Sequence, residues 1–245
     1  MIIDKKIANS KRCCREVSWR VATMALLLLF LVSNFANAQK TTDFGAILRL
    51  EGGEELDDNW SYGVKEDLRF DNDFSQFSRS KSSIWFDYKL PRYGLKFGLG
   101  GEYIIKYTGK HIYRNRYRWF VNASYKYEYR NWEFGYRTRF LIMQNDEASG
   151  YYNYALNYYW RNRLQVSYQR RFSRFKYSLS GELYSEINKD RHLQLDNLMF
   201  EGDVEYRLTR RQYLSAFIRD YRDIYIESDQ IRTIYFGIGW RLKNF

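Results

Sequence analysis

The sequence predicts an all-β protein: a transmembrane, antiparallel, up-and-down β-barrel behind a cleaved signal peptide. Three observations predict it. The amino terminus has the order of a secretory signal. Apolar and polar side chains alternate one by one through most of the remainder. The alternating segments run about 10 to 14 residues, against roughly 5–6 for a globular strand and about 9–11 for a membrane-crossing one.

The amino-terminal stretch is basic, with Lys5, Lys6, Lys11, Arg12, Arg15 and Arg20 against only Asp4 and Glu16. An apolar run over 21–32 follows, then the small-residue site Ala36-Asn37-Ala38 before Gln39. That order is the secretory pattern. The run is too short for a membrane helix, which takes about 20 apolar residues; the bland alternative is a buried hydrophobic helix. Cys13 and Cys14 precede the apolar run, so neither stands where a lipoprotein is acylated. The expected organisation is a signal peptide over 1–38 and one barrel domain over 39–245.

Segment 1–38 holds six of the 40 basic and two of the 29 acidic residues, so the remainder carries a net charge of +7. It keeps all 24 tyrosines, loses both cysteines, and has Pro91 as its single proline. Without cysteine it has no disulfide and no C-x-x-C redox or zinc motif. A basic, tyrosine-rich chain raises the possibility of nucleic-acid binding. Here the aromatics do not gather into a patch with the basic residues but alternate with them, and the secretory signal also argues against a nucleic-acid partner.

Residues 116–129 show the alternation. Tyr117, Trp119, Val121, Ala123, Tyr125, Tyr127 and Tyr129 take the odd positions, and Arg116, Arg118, Asn122, Ser124, Lys126 and Glu128 are among the even ones. Successive strand side chains point to opposite faces, so one face is apolar and the other largely charged. Residues 60–70, 95–107, 132–142, 198–208 and the last strand, with Ile234, Phe236, Ile238, Trp240 and Leu242, repeat the pattern.

A periplasmic β-sandwich also alternates, so strand length and aromatic placement decide the solvent. Trp119 to Tyr127 covers roughly 20 Å at about 3.3 Å per residue with a barrel tilt. Aromatics at both ends of that span, with Val121 and Ala123 between, fit two interfacial girdles around an apolar band. Tyr117, Trp119, Tyr125, Tyr127, Trp132 and Trp240 are the expected lipid-facing girdle.

Tight connections are expected at 91–94, 130–131, 172–173 and 209–210, and longer polar ones at 71–79, 108–115, 144–151, 188–197 and 226–230. Short turns belong on the periplasmic side. Counting back from the carboxy terminus gives ten strands beginning near Trp60. Residues 43–51, with Phe44, Ala46, Leu48 and Leu50 alternating, form an eleventh candidate. Since single-chain bacterial barrels have even strand numbers, ten strands are preferred, with 43–51 pairing elsewhere or entering the lumen. A break at Arg161-Asn162 would give twelve.

Several stretches carry a family resemblance. They are Trp60 with Glu66-Asp67-Leu68-Arg69-Phe70, the strand Arg137-Thr138-Arg139-Phe140, the segment Asp196-Asn197 through Glu205-Tyr206-Arg207-Leu208, Tyr213-Leu214-Ser215, and Phe236-Gly237-Ile238-Gly239-Trp240 to Phe245. Over nearly all of 40–245 the chain resembles the barrel proteins of the domain of unknown function 2490 family. The resemblance implies a Gram-negative outer membrane and brings no catalytic residue. One departure is terminal Phe245, whose parity is opposite to that of Trp240 and Leu242.

No residues are expected to hold a cofactor or metal. Gly98-Leu99-Gly100-Gly101 lies inside a strand and so is no dinucleotide loop; it is expected to ease a bend in the wall. Of the two histidines, His111 and His192, the second has Ser185 and Asp190 nearby, which makes a triad on paper. The lumen is expected to hold a charge network of Lys126, Glu128, Glu133, Arg137, Arg139, Arg161 and Arg163. A two-residue turn at 130–131 sets Glu128 opposite Glu133, and Arg161 or Arg163 is expected to bridge that pair, with Lys126 another candidate.

Three functions follow: a structural barrel with a charge-filled lumen, a narrow anion-preferring pore, or a barrel enzyme acting on membrane lipid. The structural barrel is preferred, so no enzyme activity is expected. The expected partners are outer-membrane lipid and, during insertion, the barrel-assembly machinery; no nucleic acid is expected.

Overall fold

The structure is a computed structural model that describes residues 42–107, 112–145, 156–187, 193–224 and 232–243. The expected signal peptide lies outside the described residues. Among those described there are eleven strands: β1 (Thr42–Glu55), β2 (Trp60–Asp71), β3 (Gln76–Leu90), β4 (Leu95–Tyr107), β5 (Tyr113–Tyr129), β6 (Trp132–Asn145), β7 (Leu156–Tyr168), β8 (Phe175–Ile187), β9 (Leu193–Arg207), β10 (Gln212–Asp223) and β11 (Arg232–Lys243). They close into one barrel in which β1 lies between β2 and β11.

The count corrects the expectation of ten or twelve strands. The even-number rule assumes that every neighbouring pair is antiparallel. Here β1 and β11 run parallel, from Thr42 beside Arg232 to Gly53 beside Lys243, and one parallel seam lets an odd number close. Residues 43–51 are therefore wall, and neither pair elsewhere nor enter the lumen. β7 runs unbroken through Arg161-Asn162, with Arg161 in register with Arg139 on one side and Tyr184 on the other.

The alternation sorts side chains as the period of two requires. Trp119, Leu164 and Ile238 point outward and are each more than 60% exposed, whereas Ile47, Ile104 and Leu141 point inward and are buried. The interior is not wholly polar. Ile47, Phe217 and Tyr235 form one buried apolar cluster, and Phe120, Leu141 and Met143 form another.

The connections explain the registers. Pro91 opens a single 3-10 turn, Pro91–Tyr93, where a residue without an N–H costs no ladder bond. Gly94 follows in the left-handed region at φ 64°, a position that favours glycine. Arg130, at φ 57°, makes the two-residue turn after β5, which sets Tyr129 opposite Trp132 and Glu128 opposite Glu133.

The long polar loop expected over 71–79 is a four-residue turn over 72–75. Asn72, Asp73 and Phe74 all adopt positive φ there, an unfavourable run for side-chain-bearing residues. Asp43 of β1 offsets it by accepting hydrogen bonds from the backbone N–H of Asn72 and Asp73, each at 3.2 Å. At the same end the remaining connections are longer, at 108–112, 146–155, 188–192 and 224–231; the opposite end has 56–59, 91–94, 130–131, 169–174 and 208–211.

Candidate functional site: the charged lumen

Four carboxylates organise the interior. Asp67 of β2 meets Arg49 of β1 at 2.9 Å and Lys81 of β3 at 3.3 Å. Glu102 of β4 lies 3.6 Å from both Arg118 of β5 and Arg139 of β6. Glu182 of β8 is 1% exposed and accepts from Arg137 of β6 at 3.1 Å and from Arg161 of β7 at 3.0 Å, both on Oε1. Glu201 of β9 is held by Arg219 of β10, by Arg163 of β7 at 3.4 Å, and by Arg49 at 3.9 Å.

Ten of the eleven strands thus contribute a charge to one belt, and β11 is the exception. Its inward Gly239 lies beside Arg49 in register, and its Gly237 lies beside Phe217. A Cβ on Gly237 would overlap the Phe217 ring, and one on Gly239 would meet Ser215 and come within 3.6 Å of Arg49 Cβ. These two glycines leave room for Arg49 to reach across β11, so that Asp67 and Glu201 join one network through it.

Ring faces hold several of the guanidiniums. Arg139 lies 3.8 Å from the Phe120 ring centroid and Arg161 lies 4.1 Å from that of Tyr184, in the range of cation–π attraction. Arg139 also donates to Asn122 at 3.1 Å, and Arg161 to the Tyr184 hydroxyl at 2.6 Å. An open cavity of about 1020 Å³ runs beside the belt and is lined by residues near both ends of the barrel, among them Asp43 and Arg116 at one end and Glu205 and Arg241 at the other.

Residues 44–223 match the sequence profile of the family described as protein of unknown function, DUF2490. The chain belongs to this family. No curated protein matches this DUF2490 chain. It is similar to a bacterial polysaccharide outer-membrane secretin at 12% identity, over 76% of this chain and 65% of that one, with a TM-score of 0.49. Against the β domain of the Bordetella autotransporter BrkA the figures are 12%, 75%, 82% and 0.44. Against an anion-selective porin from Comamonas acidovorans they are 11%, 70%, 51% and 0.34. The chain therefore spans just under two thirds of the secretin and about half of the porin. All four acids of the belt fall inside the matched DUF2490 region, and β11 lies beyond it.

The residues singled out in the DUF2490 sequence divide into two sites. Arg137, Arg139, Arg161 and Arg163 join the belt. Lys126, Glu128 and Glu133 stand apart, at the end of the barrel with the short turns. Glu128 does face Glu133, yet neither Arg161 nor Arg163 bridges them. Lys126 does, at 2.8 Å from Glu128 and 2.9 Å from Glu133, and Lys176 reaches Glu133 at 3.2 Å. The reason is register: Glu133 is opposite Ser167, and Arg161 is opposite Arg139.

Tyr117, Trp119, Tyr125, Tyr127, Trp132 and Trp240 all project outward and are exposed. Outward carboxylates interrupt the apolar exterior in places: Glu66 of β2 accepts from the hydroxyls of Ser80 and Ser82 on β3, and Glu54 of β1 from the hydroxyl of Tyr62. His111, Asp190 and His192 lie outside the described residues; Ser185 sits in β8 in register with Trp160.

Sequence reasoning missed Arg49, Lys81 and Arg219. Arg49 alternates with Leu48 and Leu50, so its parity was available once 43–51 is taken as wall. Arg219 has the same signal in Leu214, Ala216 and Ile218.

Proposed function

We propose that this chain is an outer-membrane β-barrel, exported by a signal peptide over 1–38, whose lumen is a structural charge network and not a wide pore. The belt carries this reading. Asp67, Glu102, Glu182 and Glu201 are each held by two or three cations from other strands, which ties nearby strands of the wall together on its inner face. Breaking such buried pairs one partner at a time is costly, so the network resists opening. The exterior supports membrane insertion: aromatic residues flank Val121 and Ala123, as girdles flank an apolar band. Outer-membrane lipid and, during insertion, the barrel-assembly machinery are the partners of this reading, and it assigns no catalytic residue.

The test is planar-bilayer conductance of protein extracted from the outer membrane, with anion and cation substitution. The expected result is little or no steady current. A large, weakly selective conductance would overturn the reading. A second reading, a narrow anion-preferring path, is favoured by the arginines on β5, β6 and β7, since Arg rings select anions. It requires a small current that follows the anion.

A further inference from the structure

The inner wall of β6 and β7 breaks a rule of sheet construction. Arg137 is directly opposite Arg163, and Arg139 is directly opposite Arg161. Like charges directly opposite destabilise a strand pair. The inward positions around them supply no relief: Gly135, Leu141 and Met143 on β6, and Tyr159 and Gln165 on β7. Counter-charge comes only from other strands and is shared. Arg137 and Arg161 use the same oxygen of Glu182, and Arg163 shares Glu201 with Arg219 and Arg49.

Each guanidinium carries five N–H donors, so the block offers far more donors than these acceptors fill. The Nε groups of Arg137, Arg139 and Arg163 are buried without a hydrogen-bond partner among the described residues. The block borders the open cavity. Arg116 and Arg118, two positions apart on the same face of β5, continue the basic lining toward the end with the longer connections.

We propose that this arginine block binds a tetrahedral oxyanion of the phosphate class, free or carried on a small phosphate ester. Guanidinium forks match phosphate oxygens through paired hydrogen bonds, a geometry that a spherical halide cannot use. An anion between the two facing pairs supplies the charge the strands lack. The repulsion between the facing arginines is then the cost of a preformed site, offset when the ligand binds. The proposal rests on the barrel reading but not on conduction, because a lumen closed to flow can still hold an anion.

The test is thermal melting and calorimetric titration of the membrane-extracted full protein. Inorganic phosphate, glycerol 3-phosphate and chloride are compared at equal ionic strength. Saturable binding and a raised Tm are expected with at least one phosphate species and not with chloride. Phosphate alone assigns the site to the free ion, and glycerol 3-phosphate alone to esters. Arg137→Gln with Arg163→Gln should abolish the shift, while Lys96→Gln, which touches Asp87 instead, should leave it. Arg163→Lys keeps the charge and loses the fork, so it should fold and bind at least about tenfold more weakly. No phosphate-specific shift, a shift retained in the double variant, or undiminished binding by Arg163→Lys would overturn the site. Those failures in a protein that still runs as a heat-modifiable barrel leave the barrel reading standing; absence from the membrane fraction would remove the barrel reading instead.

Discussion

The guanidinium of Arg49 lies 4.4 Å from the ring centroid of Phe217, although the strand that separates β1 from β10 passes between them. It can do so because β11 presents Gly237 and Gly239 to the interior at that level. The parallel seam is thus covered on the inside by a cation–π contact and by the ion pairs of Arg49 with Asp67 and Glu201.

Gly237→Ala should therefore be costly. Its Cβ would enter the space of the Phe217 ring, and overpacking of this kind costs about 1–3 kcal/mol. Gly202→Ala on β9 is the control, since nothing lies within 4 Å of its Cβ. Reversible folding titrations into lipid vesicles check both. Equal stability of the two variants would mean that β11 does not need its glycines.

Glu182 should be the most sensitive acid of the belt. It is 1% exposed and faces Arg137 and Arg161. Glu182→Gln leaves both cations short of their counter-charge, and breaking a buried pair by removing one partner costs about 3–5 kcal/mol. Glu55→Gln removes an exposed partner of Lys89 at the barrel end and should cost no more than about 1 kcal/mol. The same titrations decide, and a Glu182 variant as stable as the Glu55 variant would show the belt to be structurally idle.

These two sites differ in how far the sequence reveals them. A period of two assigns a face to each residue, so the inward placement of Arg137, Arg139, Arg161 and Arg163 was legible. The period says nothing about which strand lies alongside, and the parallel pairing of β1 with β11 was hidden for that reason. Register was legible only where a turn is tight. Two residues after Tyr129 leave one way to pair it, with Trp132. The β6–β7 connection is long and leaves the register open to the sequence; the pairing of Ile142 with Tyr158 sets Arg161 opposite Arg139, away from Glu133 and in the belt.

The outward face should show a depth gradient. Val121 sits midway along β5, in register with Leu99 and Phe140, and Tyr129 ends the strand. In a bilayer Val121→Arg should cost about 2–4 kcal/mol and Tyr129→Arg about 0–1 kcal/mol. Folding titrations into vesicles measure both. Equal costs, or a larger one at Tyr129, would place the membrane band elsewhere.

At the short-turn end, Lys126 bridges two carboxylates that the turn forces together. Glu128 and Glu133 are directly opposite, an arrangement that is unfavourable for like charges. Lys126 is within 2.9 Å of both, and Lys176 contacts Glu133 alone. Lys126→Met leaves Glu128 without its cation and Glu133 with one, and the site is partly exposed, so the loss should be about 1 kcal/mol. Lys176→Met should cost less, because Lys126 still serves both acids. The double variant leaves two facing carboxylates with neither bridging lysine and should exceed the sum of the single losses by at least about 0.5 kcal/mol, the coupling of residues sharing one partner. Glu133→Gln in the double-lysine background should recover part of that excess by removing the repulsion itself. Additive single losses, or no recovery on Glu133→Gln, would show that the lysines act on separate groups and that the facing pair carries no strain.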